Sequence, residues 1–145
     1  MKTHLNLRSA DLGRSVEFYK TLLNAEPAKR YDDYALFVTE DPALELALDR
    51  GTSVALGESA HYGIVVDSTA AVNEAIARLQ RAGLSTDIEV DSTCCYAKQT
   101  KVWTTDPDGR RWEVYTVLED TQEREGAATT CCAGAVGTDS ACCAS

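Results

Sequence analysis

The sequence carries two histidines, His4 and His61, and six cysteines in three adjacent pairs, Cys94-Cys95, Cys131-Cys132 and Cys142-Cys143. Imidazoles and thiolates are strong protein donors for transition metals, and thiolates favour soft ions. One glutamate, Glu113, interrupts the apolar and aromatic run Trp112-Glu113-Val114-Tyr115. A carboxylate on the concave face of a sheet is costly without a cation beside it. Two imidazoles and one carboxylate leave the remaining positions of a metal open, the pattern of non-haem Fe(II) sites that bind substrate and oxygen together. Spacing alone leaves a second reading open, in which both histidines are satisfied structural residues. The cysteine pairs admit two readings as well. A disulfide between sequence neighbours is strained, because the preferred Cα separation exceeds the spacing across one peptide bond. Each pair is therefore either two thiols presented to one soft atom or two small apolar residues packed beneath a loop.

These side chains need elements to hold them, and the pattern supplies one unit twice. His4-Leu5-Asn6-Leu7 reads as a short strand. Asp11 then precedes a helix with Leu12, Val16, Tyr19, Leu22 and Leu23 on one stripe. After Pro27 come three short extended runs, the last placing Leu44, Leu46 and Leu48 on one face and Glu45 on the other. The second unit opens with the strand His61 to Val66, and Ser68 or Thr69 caps a helix with Val72, Ala75, Ile76 and Leu79, ending at Gly83. Three further strands follow around Ser85–Val90, Ala97–Thr104 and Trp112–Val117, with a tight turn at Thr105-Asp106-Pro107-Asp108-Gly109. Laying the units over one another brings His4 onto His61 and, in the last strands, Glu45 onto Glu113. The expected fold is α+β: paired βαβββ modules forming a curved mixed sheet around a metal-containing cavity. The domain covers about 1–120, with module one near 2–50 and module two near 60–118. Residues 121–145 form a tail that turns Ala-, Gly-, Thr- and Ser-rich and has too little apolar surface to offset the entropy of ordering, so disorder is expected there.

Fourteen basic residues against 23 acidic ones give a formal charge of -9. That balance opposes nucleic acid and anionic lipid, both of which need Lys and Arg. Lys2-Thr3-His4 follows Met1 with no apolar leader or membrane span, so a cytoplasmic location is expected. In a reducing compartment the cysteine pairs stay thiols.

Residues 2 to 118, with His4, His61 and Glu113 on the first, fifth and eighth strands, resemble the vicinal oxygen chelate superfamily, which includes glyoxalase I, extradiol dioxygenases and antibiotic-resistance proteins. The resemblance implies one divalent metal on those three residues. Within the superfamily, Asp91-Ser92-Thr93-Cys94-Cys95-Tyr96-Ala97, the following Lys101 to Gly109 and Trp112 to Val117 are similar to the carbon–arsenic bond lyases and the related cadmium-induced proteins. The Asp-Pro-Asp-Gly turn is common across the superfamily; the Thr-Cys-Cys-Tyr element joined to it is the specific part. This narrower resemblance implies Fe(II) at His4, His61 and Glu113, with dioxygen as co-substrate. Cys94 and Cys95 would capture a small trivalent organoarsenical, which is cleaved at its C–As bond. Tyr96, Lys98 and Lys101 would lie in or beside a loop, either closing over the site or solvated.

Two rivals stand beside this reading. Glu45 resembles a fourth-strand ligand of glyoxalase I relatives, and His4, Glu45, His61 and Glu113 would form a four-ligand Ni(II) or Zn(II) isomerase site. Alternatively, the thiols sequester cadmium or arsenic without turnover. The resemblance leaves monomer and homodimer equally open, and leaves the tail pairs Cys131-Cys132 and Cys142-Cys143 as additional soft-ion binders or as passengers.

Overall fold

The computed structural model describes residues 1–53, 57 and 60–124. The tail from 125 onward, with its four cysteines, lies outside the described residues. Module one comprises β1 (Thr3–Ser9), α1 (Leu12–Leu23), β2 (Lys29–Arg30), β3 (Tyr34–Glu40) and β4 (Ala43–Arg50). Module two repeats it as β5 (His61–Val65), α2 (Thr69–Arg81), β6 (Asp87–Cys94), β7 (Ala97–Thr105) and β8 (Arg111–Asp120).

Both helices start where a short polar side chain can satisfy an otherwise unpaired amide. Asp11 Oδ1 accepts from the Arg14 amide at 3.1 Å, and Ser68 Oγ accepts from the Ala71 amide at 3.2 Å. Module one ends its helix at Asn24, which takes a left-handed conformation with φ of 51°.

The paired βαβββ architecture expected from the sequence is present, with the strands divided into two four-stranded mixed sheets ordered β1-β4-β3-β2 and β5-β8-β7-β6. In each sheet the first strand lies parallel to the last, β1 to β4 and β5 to β8, and the other pairs are antiparallel. β6 runs on to Cys94, beyond the expected end near Val90, because an irregularity between Glu89 and Ser92 re-registers it against β7. Asp91, within that irregularity, has a φ of 52°.

Alternation gives each sheet two faces. One face of each sheet joins a single core: Leu7, Phe37, Leu46 and Leu48 from the first, Ile64, Val102, Trp112 and Val114 from the second. The buried stripes of both helices, including Val16, Tyr19, Leu22, Val72 and Leu79, fill the same cluster. The opposite faces, turned away from this shared core, carry His4 with Glu45 and His61 with Glu113.

A polar clasp also ties the modules together. Asp106, in the turn before β8, accepts from the Tyr19 hydroxyl at 2.7 Å and from the Arg110 guanidinium at 2.9 Å. Arg110 reaches on to the Arg8 carbonyl and to Ser53 Oγ, while Asp108 accepts from the Ala10 amide at 3.0 Å. The Asp-Pro-Asp-Gly turn thus joins module two to the β1–α1 corner of module one.

Candidate active site

In the first sheet, parallel pairing sets His4 directly against Glu45. His4 Nδ1 stands 3.7 Å from Glu45 Oε2, and both side chains are about half exposed. In the second sheet the register sets Gly63 against Glu113 and His61 against Arg111, so His61 and Glu113 meet on a diagonal. His61 Nε2 lies 3.5 Å from Glu113 Oε1, and the Glu113 side chain is only 9% exposed. The missing side chain at Gly63 makes room for this approach. A Cβ there would sit 3.2 Å from Glu113 Oε1 and 3.1 Å from the Tyr115 ring.

The same face surrounds Glu113 with cationic and aromatic groups. Lys101 Nζ donates to Glu113 Oε2 at 3.1 Å, with its side chain 4% exposed. Burial alone would push the Lys101 ammonium toward deprotonation. The Glu113 carboxylate, with smaller contributions from Cys94 and Glu89, outweighs it and holds Lys101 above the ordinary lysine value. Trp103 meets His61 edge-on, with ring centroids 5.1 Å apart, and donates its Nε1–H to Glu89 at 2.8 Å. The Arg111 guanidinium covers the Trp103 ring at 4.2 Å.

Cys94 and Cys95 sit at the tip of the β6–β7 hairpin. Cys94 pairs with Ala97, so Cys95 and Tyr96 form a two-residue turn. Both have positive φ, 56° and 66°. A two-residue hairpin turn of this kind normally takes Asn-Gly or Asp-Gly, because L side chains at positive φ are unfavourable. The conformation brings the two sulfurs to 3.3 Å without an S–S bond. The pair therefore lies at the end of a strand and in a tight turn, and Cys95 is exposed.

The structure brings His61 to Glu113 and His4 to Glu45, but among the described residues no three His, Cys, Asp or Glu side chains converge. The donor chemistry of the second pair fits a metal. Bonds of about 2.1 Å from a first-row metal to imidazole and carboxylate, meeting at between a right angle and a tetrahedral angle, separate the donor atoms by about 3.0 to 3.4 Å. The 3.5 Å between His61 Nε2 and Glu113 Oε1 is close to that span.

Several residues of the site do not stand out in the sequence. Lys101 falls within the expected strand Ala97–Thr104, while the resemblance sets it in or beside a loop; the structure buries it in the middle of β7. Lys98 also belongs to β7 and faces Asp91 at 4.0 Å; Tyr96 is the exposed second turn residue. Gly63, Trp103 and Glu89 read in the sequence only as strand residues. The available signal is alternation in β7: Lys101 and Trp103 share a face with Glu113 once β7 and β8 pair antiparallel.

A model of the Glyoxalase/Bleomycin resistance protein/Dioxygenase superfamily matches residues 3–114. The chain is 44% identical to the cadmium-induced protein CadI of Mycobacterium tuberculosis (strain ATCC 25618 / H37Rv), over 93% of this chain and 95% of that one. It is 38% identical to a trivalent organoarsenical cleaving enzyme of Bacillus sp. (strain MD1), over 98% and 89%. Among solved structures, a glyoxalase/bleomycin resistance protein/dioxygenase from Alicyclobacillus acidocaldarius shares the fold with a TM-score of 0.66 at 17% identity, covering 82% of this chain and 92% of that one.

Proposed function

The chain belongs to the glyoxalase/bleomycin resistance protein/dioxygenase superfamily, and from that premise we propose that it is an Fe(II)- and dioxygen-dependent lyase that breaks the C–As bond of trivalent organoarsenicals and releases arsenite. The observation that carries this reading is the thiol pair. Cys94 and Cys95 hold their sulfurs 3.3 Å apart on the module that also carries His61 and Glu113. Trivalent arsenic is soft and takes sulfur readily. Methylarsonous acid can exchange its two hydroxyls for two As–S bonds, releasing two waters and keeping its As–C bond. One chain's adjacent thiols supply both sulfurs, which turns a chance encounter into a positioned one. Bound Fe(II) would supply the oxygen activation that cleavage requires. Reduced thiols suit the cytoplasm as the working compartment. No described helix is long and apolar enough to cross a membrane.

His4, His61 and Glu113 are the proposed ligands. The two half-sites lie on faces that both turn away from the shared core, which supports a site completed by a second copy. His4 of one chain would then meet His61 and Glu113 of the other in a homodimer.

The test is turnover. Protein loaded anaerobically with Fe(II) is given methylarsonous acid and air, and arsenite is measured by arsenic speciation. Arsenite in many-fold excess over protein is expected. Loss of free arsenical that stops at one equivalent per thiol pair, with no arsenite formed, would mark a sequestering protein instead. The proximity of Glu45 to His4 favours one second reading, a four-donor isomerase; conversion of a glutathione hemithioacetal by Ni(II)-loaded protein is the measurement that would establish it.

A further inference from the structure

Glu113 is held from two sides. Its Oε2 accepts from Lys101 Nζ at 3.1 Å, while its Oε1 faces His61 Nε2 at 3.5 Å. Lys101 has little freedom to leave: its side chain is buried, and its ammonium lies 5.3 Å from the Trp103 ring centre and 5.9 Å from that of Tyr115. On the other side, a Cβ at Gly63 would sit 3.2 Å from Oε1 and 3.4 Å from Cγ of Glu113. The carboxylate therefore lies across a strand position with no side chain, with one oxygen occupied by a buried cation.

We infer that Lys101 and Gly63 act as positioning residues that keep Glu113 a one-oxygen donor, reserving a coordination position for an exogenous ligand. A carboxylate with both oxygens available can grip a cation through two bonds. Each position it takes is lost to substrate or oxygen, and a charged hydrogen bond to one oxygen competes with the metal for it and disfavours the second bond. The backbone opening at Gly63 performs the complementary task, allowing Oε1 to reach the His61 side without tilting the carboxylate. This inference rests on the assignment of His61 and Glu113 as metal ligands.

The test uses full-length protein saturated with Co(II), whose visible absorption strengthens as coordination number falls. Affinity is measured alongside, so that metal loss and altered geometry are distinguished. Lys101→Met keeps the length and removes the donor. It should bind one equivalent of Co(II) per site but lose visible intensity severalfold, as Glu113 closes onto the metal with both oxygens. Lys101→Gln keeps an N–H donor and should hold the wild-type spectrum. Gly63→Ala should alter the spectrum in the presence of Lys101. A wild-type spectrum in saturated Lys101→Met overturns the inference. If Lys101→Met does not fold, a Gly63→Ala spectrum identical to wild type overturns it equally. Wild-type protein that binds no Co(II) overturns the ligand assignment beneath it, a distinct outcome.

Discussion

Tyr19 in α1 donates a 2.7 Å hydrogen bond to Asp106, a residue of module two, and the pair is buried in the core that both modules share. Asp106 also accepts from the Arg110 side chain and from the amides of Asp108 and Arg110, so one carboxylate organises the turn and fastens it to module one. Removing it leaves Arg110, itself 5% exposed, without its nearest counter-charge. Asp106→Ala should cost about 3 kcal/mol or more. Tyr19→Phe removes one hydrogen bond to a charged group and should cost about 2 kcal/mol. Urea unfolding at fixed protein concentration checks both values. A smaller cost for Asp106→Ala than for Tyr19→Phe would show that Asp106 is not the centre of the clasp.

The same pair predicts an alkaline limit. Burial first, then the charge of Asp106, pushes the Tyr19 phenol well above its ordinary value. A raised tyrosine pKa favours the folded state fully below the unfolded value of about 10 and less at higher pH, where the unfolded chain ionises first. From this group alone, stability should fall by about 1.4 kcal/mol per pH unit beyond that point. Tyr19→Phe, although less stable near neutrality, should lose less on going from pH 9 to pH 11. Parallel slopes for the two proteins would refute the linkage.

The turn at Cys95 and Tyr96 holds two side chains at positive φ. Glycine there removes the penalty of placing a Cβ in left-handed backbone. Tyr96→Gly should raise stability by about 1 kcal/mol while keeping both thiols. Cys95→Gly should gain similarly but lose arsenical capture, because one sulfur cannot form both As–S bonds. Melting temperature and arsenical binding, measured on both variants, separate the two effects. Loss of stability in Tyr96→Gly would mean that the tyrosine side chain makes contacts worth more than the strain.

Much of this is legible in the sequence because hydrophobic period and repetition are local. The stripes of α1 and α2, the Ser68 cap, the equivalence of His4 with His61 and the facing of Glu45 follow from residues close in the chain. The Asp-Pro-Asp-Gly segment is legible as a turn. Its role as an inter-module clasp is not, because Tyr19 and Asp106 are distant in sequence. Lys101 escapes a local reading for a related reason. Whether its side chain faces solvent or the buried side of Glu113 depends on the register of β7 against β8 and on the irregularity near Asp91, neither of which the local pattern encodes. Gly63 has meaning only once the register places it opposite Glu113.

Glu45 offers a direct test of the ligand count. Its Oε2 lies 3.7 Å from His4 Nδ1, a position suited to orienting the ring. Glu45→Gln keeps a carbonyl acceptor at that place, so metal affinity and arsenite formation should fall by no more than about tenfold. Metal content of the purified variant, measured by elemental analysis, decides the point. A preparation that holds no metal would make Glu45 a fourth ligand and favour the isomerase.

His4 and His61 lie on sheet faces that both turn away from the common core, and no three donors converge within the described part of one chain. In a two-fold dimer each site would draw His4 from one chain and His61 with Glu113 from the other. His4→Ala and His61→Ala should each be inactive alone. Mixed and allowed to exchange subunits, they form heterodimers in which one site has lost both histidines and the other has lost neither. Random exchange makes half of the dimers mixed, so about a quarter of all sites should recover. Arsenite formation should rise from background to about that fraction of the wild-type rate, and the gain should depend on the time and concentration allowed for exchange. A site built within one chain predicts no recovery at any mixing ratio, since every chain then lacks one of its own ligands. Sedimentation of the wild-type protein as a monomer under assay conditions, with full turnover, would likewise rule out the shared site.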